Sequence, residues 1–297
     1  MTEGECESQS GTELDEKRYG EKAVRALLNM HGFKSSKSLG QNFLTDANIP
    51  EKIVRLSGID KTCGVLEIGP GLGALTMVLS RMAGRVTAVE LDARLIQLLG
   101  EKLPGYQNVE IMHGDILKLD IACLVSEKMP DLRRQVCANL PYNITSPVLT
   151  ALIDSCAFES ITVMVQREFA QRICAAPGSR DYGSFTVYVN YHAEPAILFD
   201  VPPECFFPRP GVYSSVVTLK MRSEHFLEAG EEATFFRVVR AAFGQRRKTL
   251  VNALHAAFGS TMDKAEISEI VSKCGFDVRV RGEALGIEEF MKLSAHF

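Results

Sequence analysis

VLEIGPGLGALT, residues 65–76, is an apolar run that breaks into three alternate glycines and then resumes at helical spacing. It reads as a strand, a turn through Gly69, Gly71 and Gly73, and a helix. Glycine lets a backbone turn sharply and lie close to a ligand. The same alternation continues downstream. RVTAVEL (85–91) is strand-like and ARLIQLLGEKL (93–103) helical. VEIMHG (109–114), QVCANL (135–140) and ITVMVQ (161–166) are strands, while SPVLTALIDS (146–155) and REFAQRICA (167–175) are helices. Short apolar strands separated by helices predict an α/β fold, a parallel sheet covered on both faces. ILFDV (197–201) and SSVVTLKM (214–221) are expected to close it as an antiparallel pair. EKAVRALLNM (21–30) and DANIPEKIVRLSG (46–58) are expected helices leading into the sheet.

The pattern changes at residue 223. TFFRVVRAAFG (234–244), TLVNALHAAFG (249–259), KAEISEIVSKCG (264–275) and IEEFMKLSAHF (287–297) all have helical spacing, and glycine stands at several of their ends. The expected division is a disordered acidic tail over 1–19, an α/β domain over 20–222 and a small all-helical domain over 223–297. The first 16 residues hold six acids and no Lys or Arg, unlike a secretory or mitochondrial leader. They also mask the balance of the rest. The whole chain carries −4, and without those six acids residues 17–297 carry +2. An acidic total therefore does not exclude a nucleic-acid partner; it requires a local basic patch. The eight cysteines form no C-x-x-C pair, and Cys63, Cys137, Cys156 and Cys174 sit in apolar segments, so small buried hydrophobes in a reducing cytoplasm are expected. The six histidines are scattered, so no metal site is expected. No apolar run is long enough to span a membrane.

Around the glycine turn the chain supplies further groups with nucleotide chemistry. Glu90 ends the second strand, 21 residues after Gly69, where a carboxylate accepts hydrogen bonds from ribose hydroxyls. Asp115 follows the third strand, where it can meet an adenine edge. A dinucleotide is disfavoured. Pro70 has no N–H for a pyrophosphate, and Glu67 suits a cationic ligand better than an anionic one. E-x-G-x-G-x-G with a following acid looks like the opening motifs of Rossmann-like methyltransferases, whose donor S-adenosylmethionine is a cation.

The fourth strand ends in Asn139-Leu140-Pro141-Tyr142, similar to the N/D-P-P-Y/F motif of amino-methyltransferases. The lone pair of an exocyclic base amine is delocalised into the ring. The Asn139 side-chain oxygen and the Leu140 carbonyl can both accept from that amine and favour a tetrahedral nitrogen. Pro141 fixes the turn. Tyr142 offers a flat face for an extruded base, a contact worth about 1–3 kcal/mol. The sulfonium leaves readily, so positioning carries most of the catalysis.

With these residues in place, the chain resembles the small-subunit ribosomal RNA adenine dimethyltransferases. The resemblance runs over about residues 20–297 and rests on SLGQNFL (38–44), LEIGPGLGALT, VELD, GDIL, NLPYNI, VQREFAQRI (165–173), FFPRPGVYSS (206–215) and FGQRRKTL (243–250). It implies a class I methyltransferase sheet with a small all-helical C-terminal domain. It implies S-adenosylmethionine-dependent N6,N6-dimethylation of two adjacent adenosines near the 3′ end of small-subunit (16S) RNA. Asn42 and Leu44 would close over the cofactor, with Gly69, Gly71, Glu90, Asp115 and Asn139 completing its site. Tyr142 would stack on the target adenine, and Phe206 on its other face. Lys34, Lys37, Arg246, Arg247 and Lys248 would contact RNA phosphates, with Arg167 and Arg172 as further candidates. The implied protein is a cytoplasmic monomer acting on a pre-assembled small subunit, without a membrane. Other readings stay open. A large-subunit RNA methyltransferase giving macrolide resistance shares the fold and motif, but FGQRRKTL and F-x-P-x-P-x-V-x-S favour the small-subunit enzyme. A non-catalytic assembly factor is opposed by the intact Glu90, Asp115 and Asn139. A nicotinamide oxidoreductase is opposed by Pro70 and the Asn139–Tyr142 motif.

Overall fold

The structure is a computed structural model describing residues 20–33, 40–102, 106–224 and 226–297. Lys34, Lys37 and the acidic tail lie outside the described residues. In chain order the elements begin with α1 (Glu21–Met30), β1 (Phe43–Leu44), α2 (Asn48–Ser57), β2 (Cys63–Ile68), α3 (Ala74–Met82), β3 (Arg85–Glu90), α4 (Ala93–Lys102) and β4 (Val109–His113). They continue through α5 (Ile121–Lys128), β5 (Arg133–Asn139), α6 (Thr145–Asp154), β6 (Ser160–Gln166), α7 (Arg167–Ile173), α8 (Ser184–His192), β7 (Ala193–Val201), β8 (Phe206–Phe207) and β9 (Ser214–Met221). Four helices close the chain: α9 (Ala229–Gly244), α10 (Leu250–Phe258), α11 (Lys264–Lys273) and α12 (Ile287–Ser294).

The main sheet has seven strands in the order β4-β3-β2-β5-β6-β9-β7. β2 to β6 pair in parallel, as their apolar sequences require, and β9 runs antiparallel to β6 with Gln166 opposite Ser214. Every residue of β2 is buried, which is why Cys63–Ile68 shows no polar–apolar alternation. Val65, Leu79, Val86 and Val216 share one core cluster with Ile53 of α2. A separate short pair, β1 with β8, sets Phe43 opposite Phe207 and Leu44 opposite Phe206.

The chain folds as two compact units. One comprises residues up to Arg167 with Ala196–Lys220; the other comprises Glu168–Pro195 with Met221–Phe297. The expected cut at 222/223 did not include Glu168–Pro195 with the C-terminal helices. The physical reason for that grouping is a shared core, in which Val187 and Tyr191 of α8 pack with Phe235, Leu250 and Phe290. α8 reads SFTVYVNYH, rich in β-branched and aromatic residues, and carries no helical signal in its composition. Tertiary burial of Thr186, Val187, Val189 and Tyr191 decides it.

Candidate active site

Strand order reverses between β2 and β5. From β2 the chain winds outward through β3 to β4, then returns to β5 on the other side. Open α/β sheets bind ligands at the carboxyl ends of the strands at such a switch point. Here that edge holds a cavity of about 160 Å³. Asn42, Leu44, Gly69, Gly71, Glu90, Asp115 and the run Asn139–Tyr142 all line it. Residues nearly 100 positions apart in sequence are thus brought to one crevice.

The glycine turn leaves β2 with Gly69 at φ +65° and Gly71 at φ +59°, a left-handed conformation that strains any side chain. A Cβ on Gly69 would meet no atom within 4 Å, so its open side faces free space. Gly71 N–H donates to Glu90 Oε2 at 3.2 Å, and Asp92 N–H donates to Glu90 Oε1 at 2.9 Å. Two main-chain donors therefore fix the Glu90 carboxylate at the end of β3 with lone pairs still free to accept. Burial raises its pKa, while those N–H groups oppose the rise. Glu67, on β2, is 1% exposed and its Oε2 has no hydrogen-bond partner. Burial pushes it up to about 8; the Thr76 hydroxyl opposes the shift, although neither atom completes a bond of good geometry, and Glu90 adds to it. Asp115 caps the short turn Ile116–Lys118 by accepting from Leu117 N–H at 3.1 Å.

Opposite stands the end of β5. Asn139 Nδ2 donates to the Asn42 carbonyl at 3.3 Å, which orients the amide and leaves Oδ1 to accept. Leu140 N–H donates to Met164 C=O at 3.1 Å, and its side chain is buried. The Pro141 carbonyl accepts from Ile144 N–H at 3.2 Å, closing the turn that sends Tyr142 over the crevice. The Tyr142 hydroxyl lies 2.6 Å from Ser214 Oγ. Burial raises the phenol's pKa, so it stays neutral and its ring is held by a tether at its far end.

Phe206 is placed elsewhere. It is 2% exposed, sits in the β1–β8 pair and packs into the core cluster with Leu44, rather than lining the cavity. Ser214 is the residue that sequence reasoning missed, and its signal was present as the last letter of F-x-P-x-P-x-V-x-S (206–214). In the second unit, Arg246 donates to the carbonyls of Arg180 and Tyr182 at 2.8 and 3.1 Å. Arg247 and Lys248, beside it in the turn between α9 and α10, are exposed. Arg172 pairs with Glu168 at 3.2 Å one helical turn away. Among the described residues, no helix is long and apolar enough to cross a membrane.

Comparison with known families places these residues in context. The model of the ribosomal RNA adenine dimethylase family matches residues 32–289. The chain belongs to that family. Two similar relatives are each named ribosomal RNA small subunit methyltransferase A. The one from Shouchella clausii is 45% identical over 91% of this chain and 92% of its own length. The one from Geobacillus kaustophilus is 44% identical over 91% and 94%. Among solved structures, a dimethyladenosine transferase from Plasmodium falciparum superposes with a TM-score of 0.73 at 26% identity, covering 84% of this chain and 95% of that one. The 23S rRNA methyltransferase ErmE superposes with a TM-score of 0.67 at 25% identity, covering 86% and 98%. The adenine dimethylase family thus carries a class I methyltransferase sheet, as expected from residues 65–166.

Proposed function

We propose that this family member transfers methyl groups from S-adenosylmethionine to the N6 of adenosines in small-subunit ribosomal RNA, giving N6,N6-dimethyladenosine. The observation that carries the reading is the meeting of two carboxyl edges: the β2–β3 acids and the Asn139–Tyr142 loop line one crevice. The 45% and 44% identical relatives named for the small subunit favour that RNA over the large-subunit RNA named for ErmE.

The crevice fits the donor. Glu90 can accept from ribose hydroxyls, the open side of Gly69 admits a close approach, and the buried Glu67, whose Oε2 has no partner, lines the crevice with a carboxyl group whose charged form a cationic ligand would favour. When bound, the donor supplies an electrophilic methyl on a sulfonium. The protein supplies position. Asn139 Oδ1 and the Leu140 carbonyl accept from the target amine, which turns its lone pair out of the ring. Tyr142 stacks on the flipped adenine, with its hydroxyl held by Ser214. Arg247 and Lys248 contact phosphates on the second unit. The substrate is a pre-assembled subunit, and the protein acts as a cytoplasmic monomer.

The test is label transfer from S-adenosylmethionine to small ribosomal subunits lacking the modification, with large subunits in parallel and the product nucleoside identified by mass. Dimethyladenosine in the small-subunit RNA is expected. Asn139→Ala is expected to lose at least about 100-fold in rate, the scale on which misplacing a reacting group acts, while circular dichroism stays unchanged. Label on large subunits alone would overturn the substrate assignment.

A further inference from the structure

Next to the tether that holds Tyr142 stands a second aromatic group that the chemistry above does not use. Tyr213 precedes Ser214 and is 44% exposed, and Val212 before it is 46% exposed. The two leave adjoining aromatic and aliphatic surface open at the edge of the site. The Arg167 guanidinium lies over the Tyr213 ring at 4.7 Å from its centroid, and Arg167 N–H donates to the Tyr213 carbonyl at 3.0 Å. Both residues belong to the first compact unit. The guanidinium meets Asp200 Oδ2 only at 3.9 Å, too far for a hydrogen bond, and Asp200 Oδ1 already accepts from Ser215 Oγ at 2.6 Å. A planar, solvent-facing Arg–Tyr stack, with Asp200 at ion-pair distance from its guanidinium, therefore sits at this edge.

Sheet register fixes where it lies. Along β6, Met164 faces Asn139 of β5, and Gln166, two residues on, faces Ser214 of β9. Arg167 follows Gln166, so the Arg167–Tyr213 pair stands at the same carboxyl edge as the Asn139–Tyr142 loop, one strand further along. Ser214, the first residue of β9, is turned to Tyr142, and Tyr213 stands immediately before it at the strand end.

We propose that Tyr213 and Arg167 form a stacking platform for the nucleotide that flanks the target adenosine. This deepens the reading under Proposed function and rests on it. A base flipped into the crevice loses its stack on its neighbour, and that neighbour needs a replacement face. Tyr213 supplies a π-face that accepts any base. Arg167 supplies a cation for the adjoining phosphate. Ser214 between them couples the two: one strand end holds Tyr142 against the target and Tyr213 against its neighbour, so the two nucleotides are held apart.

The test uses the full chain and three variants, Tyr213→Ala, Tyr213→Phe and Arg167→Gln. Calorimetric S-adenosylmethionine binding serves as the check that each variant folds. Tyr213→Ala is expected to raise KM for unmodified small subunits roughly tenfold, a loss typical of one base–aromatic stack, with kcat within about twofold. Tyr213→Phe is expected to restore the KM, because stacking needs the ring and not the hydroxyl. Arg167→Gln is expected to lower the salt slope of RNA binding by about one. An unchanged KM in Tyr213→Ala overturns the platform. If the wild-type protein transfers no methyl to small subunits, the substrate reading fails instead. The platform is then judged by equilibrium binding of a fluorescein-labelled single-stranded RNA: weaker binding by Tyr213→Ala than by Tyr213→Phe supports it, and equal binding overturns it.

Discussion

Glu67 shows how far a single side chain can depart from its solution behaviour when the fold needs it in place. It lies in the most buried strand of the sheet, and burial lifts its pKa from 4.5 to about 8. Between these values the native protein binds a proton that the unfolded chain has released. Stability therefore falls as pH rises from about 4.5 to 8, by at most about 1.4 kcal/mol per pH unit. Below the lower value both states are protonated, and above the upper value both are charged, so no slope remains. Glu67→Gln cannot titrate. In the absence of ligand, its melting temperature relative to wild type is expected to climb between pH 5 and pH 8. Parallel melting profiles across that range would show that Glu67 does not hold its proton in the fold. The residue was legible in sequence as an acid beside a glycine turn. Its burial was not, because burial depends on strands β3 and β5, which pair on either side of it.

Elements that stand next to each other in the chain were readable, and those assembled from distant segments were not. The strand–turn–helix unit at 65–76 announces itself because its apolar run, its glycines and its helix follow one another. The β1–β8 pair does not, since Phe43–Leu44 and Phe206–Phe207 are two-residue strands far apart in sequence. That pairing draws Phe206 into the core, where its sequence context had suggested a stacking face. Connections between elements are also tuned by packing that sequence conceals. Gly84 links α3 to β3, and its N–H donates to the Cys63 carbonyl at 3.0 Å. A Cβ there would come within 2.3 Å of the Lys61 carbonyl oxygen, a backbone atom that cannot swing away. Gly84→Ala is expected to destabilise by about 1–3 kcal/mol, the usual cost of overpacking. Gly100, within α4, has open space where its Cβ would stand. Gly100→Ala is expected to gain about 0.5–1 kcal/mol from helix propensity. Urea midpoints at unchanged slope check both. A stable Gly84→Ala protein would mean the α3–β3 turn can shift to make room.

At the scale of the whole molecule, a chain with a net charge of −4 must still bind a polyanion. Charge is distributed rather than balanced, and position within the fold separates cations that look equivalent in sequence. Arg246, Arg247 and Lys248 are consecutive, yet Arg246 is spent on the Arg180 and Tyr182 carbonyls and lies 3.6 Å from Glu283. Arg247 and Lys248 remain exposed. Removing Arg246 should therefore loosen the Arg180–Tyr182 loop, whereas removing its neighbours should weaken RNA binding alone. The double variant Arg247→Gln, Lys248→Gln is expected to lower the salt slope of RNA binding by about two, one for each phosphate left without its cation. Its affinity for S-adenosylmethionine and its melting temperature should match wild type. Arg246→Gln is expected to lower the melting temperature and leave the slope within about half a unit of wild type. A double variant with the wild-type slope would move the phosphate grip away from the α9–α10 turn. A lowered slope in Arg246→Gln at unchanged melting temperature would give its guanidinium to RNA rather than to the loop.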